Sequence, residues 1–250
     1  MENMNTAAWV VTAIAVLITG ISKSGLGGAL GGLAVPFLAM WISPRDAAAV
    51  MLPILIAMDM FGIRAWRGQA DWHDLKVLIP GALVGIVIGT FAFGVLSDQL
   101  VKGMIGSIAI LFSLDRLIRQ RGQAQSTTRP SKPFGWLCGA GSGFTSTLAH
   151  AGGPPIMIYL LSWKQRRETF VATTVFFFTV INLAKVPFYI GLNIFTAETL
   201  KMSLMFMPLV PIGVWLGMRI LKLIPERPFF YFATIALGLS GLKLLWDSMA

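Results

Sequence analysis

Apolar runs of about twenty residues recur along the whole sequence, and each run is long enough to cross the hydrocarbon core of a membrane. Hydrophobic residues make up 56% of the 250 residues and charged residues 12%, roughly half the charged fraction of a soluble domain. A helix satisfies its own backbone hydrogen bonds inside lipid. We therefore predict an all-α, polytopic integral membrane protein with about eight transmembrane helices and some short broken or re-entrant elements.

Glycine and proline interrupt two of the apolar segments. The stronger interruption lies in residues 144–161, where a Gly-Gly-Pro-Pro run begins at Gly152. Prolines remove backbone donors and push the preceding residue out of helical geometry, so a smooth helix cannot continue through this run. A weaker copy in residues 22–40 has a cluster of glycines followed by Pro36. Interrupted segments in corresponding halves of a chain are typical of the binding site of a transporter.

The apolar runs and interruptions occur in the same order in two halves of the chain. We predict one membrane domain over residues 1–250, with a first repeat at about 5–118, a polar linker at about 119–132 and a second repeat at about 133–248. Two pairs of glycines align between the halves: Gly85 with Gly213, and Gly89 with Gly217. Small residues at this spacing allow close helix packing in lipid, so we assign these glycines to packing.

Basic residues are concentrated in short polar loops, so the net charge of +9 does not indicate nucleic-acid binding. Cytoplasmic loops of membrane proteins carry an excess of Lys and Arg. The linker and the basic loops at 164–167 and 219–227 are therefore predicted to be cytoplasmic, and the loop at 193–198, which has no basic residue, to lie outside. Each half then crosses the membrane an odd number of times, so the two repeats are inverted and both termini lie outside.

The sequence offers little material for a metal site, a cofactor or a catalytic group. Cys138 is the single cysteine, and His73 and His150 are far apart in the sequence. A membrane enzyme would need a paired nucleophile and base or a cluster of metal ligands. We therefore predict no metal, no cofactor and no enzymatic activity. The N-terminal run lacks the basic segment of a signal peptide and is expected to remain as a span.

Four stretches of the sequence carry a resemblance to a known family: residues 24–38, 141–161, 181–192 and 208–217. They combine a glycine-rich break and its downstream proline with a second Gly-Gly-Pro break and a late Gly/Pro pattern. Together with the long polar linker, they resemble the TauE/SafE-type permeases, the sulfite exporter family, over nearly the whole chain. The resemblance implies a multi-pass permease of the bacterial inner membrane that moves small anions, such as sulfite or sulfoacetate, usually outward.

The two interrupted segments form the predicted site for a small oxyanion, near the middle of the membrane. A helix that starts inside the membrane presents free N–H groups and a positive dipole end, glycines allow close approach of a ligand, and hydroxyls add donors. The alternative role for such residues is packing between membrane helices. The predicted substrate-binding residues are Ser24, Gly25, Gly27, Gly28, Pro36, Thr145, Ser146, Thr147, His150, Gly152, Gly153 and Pro154.

Ionisable residues inside the apolar runs are a second indication of function, because they are costly in lipid. Asp59 lies in one run, and Asn182 and Lys185 lie in the aligned run of the second half. We predict an ion pair between Asp59 and Lys185, with snorkelling of Lys185 to the interface as the alternative. His150 either carries a proton coupled to the anion or donates a hydrogen bond to the substrate or to a broken helix end. Lys23 either attracts anions or lies at the surface.

The predicted function is a permease for small anions, with proton-coupled export of sulfite, sulfoacetate or a related organosulfur oxyanion by alternating access. The predicted partners are the anion, protons and the lipid bilayer, and not nucleic acid. An anion channel or an uncoupled permease for a non-sulfur substrate is the first alternative. The second is a membrane assembly or maturation factor that binds a partner protein, although the longest loop is no larger than an ordinary linker. The oligomeric state is open.

Overall fold

The computed structural model describes residues 6–25, 34–119, 128–160, 162–163, 165–220 and 226–249. Within these residues the chain forms helices joined by short connections, and no strand. In chain order they are α1 (Thr6–Gly25), α2 (Ala34–Leu38), α3 (Pro44–Ala65), α4 (Trp72–Val95), α5 (Asp98–Arg119), α6 (Lys132–Ala149), α7 (Gly153–Leu160), α8 (Arg167–Gly191), α9 (Ala197–Phe206), α10 (Leu209–Ile220) and α11 (Glu226–Met249). The all-α prediction is confirmed.

In the described part of the chain, three helices are long and apolar enough to cross a membrane: α3, α4 and the Glu168–Gly191 part of α8. The bent pair of α9 and α10 brings the number to as many as four. Helix α1 has a shorter apolar stretch, Trp9–Ser24. The helical, membrane-spanning character is thereby supported, and the total of about eight spans stays a prediction.

Helices α9 and α10 are bent by 45° relative to each other at a short break. Pro208 lies in the break and has no N–H to donate to the carbonyl group of Leu204, so the helical hydrogen bonds stop there. Pro211 removes a second donor in the first turn of α10, and the Met207 carbonyl instead accepts from the N–H of Val210 at 3.0 Å. The two prolines account for the bend.

Side-chain caps fix the starts of the first two long spans. The Ser43 hydroxyl accepts a hydrogen bond from the N–H of Asp46, and Pro44 occupies the first turn of α3, as the sequence predicts for this turn. The Asp71 carboxylate accepts from the N–H groups of His73 and Asp74 at the start of α4. Both caps satisfy donors that a helix start leaves free, so they determine where the spans begin.

Helices α4 and α6 are in backbone contact along a glycine seam. A β-carbon on any of four glycines would overlap a carbonyl oxygen of the other helix: Gly81 and Gly85 of α4, and Gly139 and Gly143 of α6. At Gly85, for example, the overlapping atom is the carbonyl oxygen of Ala140. Only residues without a side chain allow this approach, so the seam depends on glycine.

The aligned glycines of the second half line a matching seam between α10 and α1. Gly213 lies against the backbone of Leu17 and Gly20, and a β-carbon on Gly217 would overlap the hydroxyl of Ser24. A third contact of this kind joins α5 to α11, where a β-carbon on Gly106 would approach the backbone of α11 within 2.7 Å. The predicted packing role of the aligned glycines is confirmed.

Helices α3 and α8 pack against each other and are the more enclosed of the candidate spans. Buried residues make up 56% of the apolar window of α3 and 61% of that of α8, against 44% for α4. Helix α3 also contacts α1, α2, α6, α9 and α10, and α8 also contacts α4. The charged side chains of Asp59 on α3 and Lys185 on α8 are therefore surrounded by protein, which is where functional charges of membrane proteins are found.

Candidate functional site

Helix α6 ends in a left-handed turn at His150, which has a φ of 50°. The N–H of His150 donates to the carbonyl oxygen of Ser146 at 3.0 Å, and the N–H of Ala151 donates to that of Thr145 at 3.3 Å. Glycine usually occupies this left-handed position, because a side chain makes it costly. A histidine here indicates that its side chain has a role that offsets the strain.

Helix α7 runs back beside α6 instead of continuing it. The Ser142 hydroxyl donates to the carbonyl oxygen of Gly152 at 2.6 Å. Further along, Gly135 near the start of α6 lies against the ring of Tyr159 near the end of α7. The two helices therefore run antiparallel, so that the start of α7 lies beside the second half of α6 and the end of α7 lies beside the start of α6. The interrupted segment at 144–161 therefore turns back on itself, as a re-entrant element does.

The start of α7 has few backbone donors for an anion. Pro154 and Pro155 have no N–H, so Gly153 is the only one of the first three residues of α7 that has one. A β-carbon on Gly152 would come within 2.7 Å of the Ser142 hydroxyl, so this glycine permits close packing. The helix start that the sequence marks as a donor cluster is thus poorer in donors than an ordinary helix start.

The predicted hydroxyls divide into two groups. The Thr145 hydroxyl lies 2.8 Å from the carbonyl oxygen of Gly141 and 3.0 Å from that of Ala151, and the Thr147 hydroxyl donates to that of Gly143 at 2.9 Å. The hydroxyls of these two threonines therefore contact backbone carbonyl oxygens at the end of α6. Ser146 differs, because its hydroxyl oxygen accepts a hydrogen bond from a charged side chain, Lys185, at 3.0 Å.

Lys185 is the centre of the polar contacts at the break. Its side chain is 0% exposed, and its ammonium group donates to the carbonyl and hydroxyl oxygens of Ser146 at 3.1 and 3.0 Å. The same nitrogen lies 2.8 Å from Nδ1 of His150. The predicted ion pair with Asp59 is wrong, and so is its alternative of snorkelling, because the helix break supplies the partners of Lys185 inside the protein.

The contacts of His150 determine which ring nitrogen carries its proton. Nε2 lies 2.9 Å from the carbonyl oxygen of Ala48 on α3, and a carbonyl oxygen only accepts. Nε2 therefore carries the hydrogen, and Nδ1 accepts from the ammonium group of Lys185. His150 thus joins α3, α6 and α8 through one imidazole. Tyr189 adds a further link, because its hydroxyl donates to the carbonyl oxygen of Thr147 at 2.7 Å.

Asp59 pairs with Lys23 in the last turn of α1. Their oxygen and nitrogen atoms are 2.5 Å apart, and the two side chains are 1% and 7% exposed. The amide of Asn182 donates to the second carboxylate oxygen of Asp59 at 2.7 Å. Lys23 is thus neither a surface residue nor a free attractant in this structure. Its position directly before the first glycine cluster is the sequence signal that points to it.

The two groups of contacts are neighbours, because Asn182 and Lys185 lie three residues apart on one face of α8. Lys23 and Asp59 cancel each other's charge. The hydrogen-bond partners of Lys185 within the described part of the chain are neutral: a backbone carbonyl, a hydroxyl and an imidazole. The network formed by Lys23, Asp59, Asn182, Lys185 and His150 therefore contains two lysines and one carboxylate.

A small cleft reaches this network at the ion pair. Its lining includes Lys23, Ser24 and Asp59, and apolar side chains near the end of α3 such as Phe61 and Trp66. The space open to the centre of a water molecule is about 20 Å³, which suits roughly one water. In this conformation the cleft does not have room for a sulfur oxyanion beside the ion pair.

The remaining predicted site residues lie at the first interruption. Ser24 lines the cleft, and its hydroxyl donates to the carbonyl oxygen of Ile21 at 3.1 Å. Gly25 is the last residue of α1, and Pro36 is buried in α2. Gly27 and Gly28 lie outside the described residues. The structure thus brings Ser24 to the Lys23–Asp59 pair and Ser146 and His150 to Lys185.

Comparison with known proteins gives a consistent assignment. The protein-family model described as Sulfite exporter TauE/SafE matches residues 12–244. A protein of Comamonas testosteroni, named Probable inner membrane transporter protein TsaS, is 29% identical over 209 residues, which are 81% of this chain and 84% of that protein. No solved structure matches the chain significantly. Because the family match extends from α1 to α11, the chain belongs to the sulfite exporter TauE/SafE family of membrane transporters.

Proposed function

We propose that this protein is a multi-pass permease of the bacterial inner membrane that exports sulfite, sulfoacetate or a related organosulfur oxyanion by proton-coupled alternating access. The single observation that carries the proposal is the fully buried ammonium group of Lys185, whose partners among the described residues are neutral. A buried charge is costly unless an opposite charge accompanies it. A small anion supplies that charge when it binds.

The comparisons support the transport class and the location. The matching family is described as a sulfite exporter family, and the relative is named as an inner membrane transporter. These descriptions favour a sulfur oxyanion as substrate and the inner membrane as location. The basic linker and loops favour the predicted orientation, with the linker in the cytoplasm and both termini outside.

The arrangement of helix contacts supports two inverted repeats. If α1, α4, α5 and α3 of the first half correspond to α6, the α9–α10 pair, α11 and α8 of the second, then each seam has its counterpart. When each helix is replaced by its counterpart, the seam of α4 with α6 becomes that of α10 with α1. The same replacement turns the pair of α5 and α11 into itself, and likewise the pair of α3 and α8. Exchange of the two halves thus leaves these four contacts unchanged, as a twofold relationship requires.

The contact between Lys185 and His150 supports coupling to protons. Nδ1 of His150 accepts from the ammonium group, and Nε2 already carries a hydrogen. A second proton on His150 would place an N–H against the ammonium group and remove the hydrogen bond. Protonation of His150 and the position of Lys185 are therefore linked. This linkage favours the proton-carrying role of His150 over a purely structural one.

The proposal is tested by sulfite efflux from proteoliposomes that hold the full chain. Lys185→Gln retains hydrogen bonding to Ser146 and removes the charge, so we expect sulfite efflux to fall by about tenfold or more. Lys243→Gln is the matched control, because Lys243 lies exposed on α11 and pairs only with Asp247 among the described contacts. Wild-type efflux by Lys185→Gln would contradict the proposed role of this charge.

The same vesicles distinguish the alternatives. A coupled carrier accumulates sulfite against its gradient when a pH gradient is imposed, whereas a channel or an uncoupled permease only equalises the concentrations. Movement of short carboxylates but not of sulfur oxyanions would reassign the substrate. If correctly folded protein moves no anion from a panel of sulfite, sulfoacetate, thiosulfate and short carboxylates, the role of assembly or maturation factor replaces transport.

A further inference from the structure

We propose that Asp59 sets the charge selectivity of the anion site, because its carboxylate cancels Lys23 and leaves the buried network with one net positive charge that suits a monovalent oxyanion. This inference rests on the proposed function and adds to it a specificity-determining residue. Among the proposed substrates, it favours hydrogen sulfite and singly charged sulfonates over sulfoacetate, whose sulfonate and carboxylate groups together carry two negative charges. It also predicts how that preference changes when single charges are removed.

The Asp59 carboxylate is itself held as a bound oxyanion would be held. One oxygen lies 2.5 Å from the ammonium group of Lys23, and the other accepts from the amide of Asn182 at 2.7 Å. An ion pair at one oxygen and a hydrogen bond from an amide at the other thus hold the carboxylate. The carboxylate therefore takes up donors that a substrate would otherwise use.

The small volume of the cleft limits how a substrate can reach Lys23 and Asp59. Lys23 and Asp59 line the cleft, which has room for roughly one water in this conformation. A sulfur oxyanion reaches these groups only if side chains move apart. An anion that binds at Lys23 then lies beside the Asp59 carboxylate, so the negative charge of Asp59 acts on it.

The charged groups that face Asp59 come from two helices. Lys23 approaches from α1, and Lys185 on α8 interacts electrostatically with both Asp59 and Lys23. His150 lies on the far side of Lys185 and is neutral in the hydrogen-bonding pattern observed. With both lysines protonated and Asp59 ionised, the network carries one net positive charge. A monovalent anion makes this network neutral, whereas a divalent anion leaves one buried negative charge, which is costly.

Methanesulfonate and sulfate are suitable probes, because both carry oxygens on a tetrahedral sulfur and differ by one charge. The measurement is equilibrium binding of each probe to the purified full chain at constant ionic strength. We expect the wild-type protein to bind methanesulfonate at least about tenfold more tightly than sulfate. We expect Asp59→Asn, which retains the shape of the side chain and removes its charge, to bind sulfate more tightly than methanesulfonate.

A matched control is Asp74→Asn. Asp74 is also a buried carboxylate, but it contacts Tyr159 and Arg129 away from the cleft. We expect this variant to keep the wild-type preference for methanesulfonate. An equal change of preference in Asp74→Asn would overturn the inference, because the effect would then follow from lowering the overall negative charge and not from Asp59 in particular.

A second variant keeps the test decisive if Asp59→Asn does not fold. The double variant Lys23→Gln with Asp59→Asn replaces the ion pair by two neutral side chains of similar shape, which buried sites often tolerate. It retains the single charge of Lys185, so we expect it to prefer the monovalent probe, as the wild-type protein does. A double variant that prefers sulfate overturns the inference, and so does an Asp59→Asn variant that retains the wild-type preference.

The failure of this inference differs from the failure of the proposed function. If the wild-type protein binds both probes and depends on Lys185, but the preference is the same in every variant, only the charge-selectivity role of Asp59 is overturned. If neither the wild-type protein nor any variant binds methanesulfonate, sulfate or sulfite, both the proposed function and this inference are overturned.

Discussion

The ammonium nitrogen of Lys185 lies 2.8 Å from Nδ1 of His150, and both side chains are buried. The contact connects α8 to the turn at which α6 ends. It also requires an unprotonated Nδ1, because an ammonium group can only donate. One hydrogen bond thus joins the buried amino group of Lys185 to a group that can gain a proton.

Replacement of His150 by glutamine tests this connection directly. Glutamine can accept from Lys185 and donate to the carbonyl oxygen of Ala48, but it does not titrate, so we expect transport to continue with a much weaker dependence on pH. The measurement is the rate of methanesulfonate efflux between about pH 5 and pH 8. His73→Gln is the matched control, since His73 is exposed at the start of α4. An unchanged pH profile in His150→Gln would exclude His150 as the proton carrier.

Gly85→Ala tests the seam of α4 and α6. The added methyl group would overlap the carbonyl oxygen of Ala140, and backbone atoms cannot move aside without separating the helices. We expect a loss of about 1–3 kcal/mol in the free energy of unfolding, seen as a lower thermal midpoint in detergent. Gly191→Ala is the control, because a β-carbon there meets nothing within 4 Å. Equal midpoints for the two variants would show that the seam tolerates side chains.

Arg45→Lys tests a clamp at the start of α3. The Arg45 guanidinium donates to the carbonyl oxygens of Phe93 and Leu96 and to the carboxylate of Asp98, so it holds the end of α4 and the start of α5. An ammonium group cannot reproduce this fork of donors. We expect a loss of about 1–2 kcal/mol in the free energy of unfolding. Arg64→Lys, at the exposed end of α3, serves as the control and is expected to unfold like the wild-type protein.

Much of the helical framework can be predicted from the sequence, because single residues determine it locally. Proline and glycine mark the break after Ala149, and the Ser43–Pro44 pair marks the start of α3. The aligned glycines indicate which helix faces lack side chains and can therefore approach another helix closely. These signals act within one or two turns of a helix, so they can be read without knowing the neighbouring helices. The bend at Met207 is of the same kind, since two nearby prolines produce it.

The partners of the buried charges could not be predicted in the same way. Asp59 and Lys185 lie in aligned runs, but they do not pair with each other. Asp59 forms an ion pair with Lys23, and Lys185 forms hydrogen bonds with Ser146 and His150. These pairings depend on the rotation of each helix about its own axis and on its depth in the membrane. A helix that is apolar on nearly all sides carries no periodic pattern from which that rotation can be derived. The direction of α7, which runs back beside α6, depends on tertiary contacts in the same way.

The glycine seams also restrict what can move as a unit. Each of them joins a helix of the first half to one of the second: α4 to α6, α10 to α1 and α5 to α11. A carrier built from two separable lobes, one for each half of the chain, is incompatible with such seams, because moving one half against the other would pull backbones in direct contact apart. If transport proceeds by alternating access, each of the bodies that move contains helices from both halves. These bodies would then move relative to each other at helix contacts that are made by side chains. The contact of α3 with α8 is of this kind, and Asp59, Asn182 and Lys185 lie on these two helices.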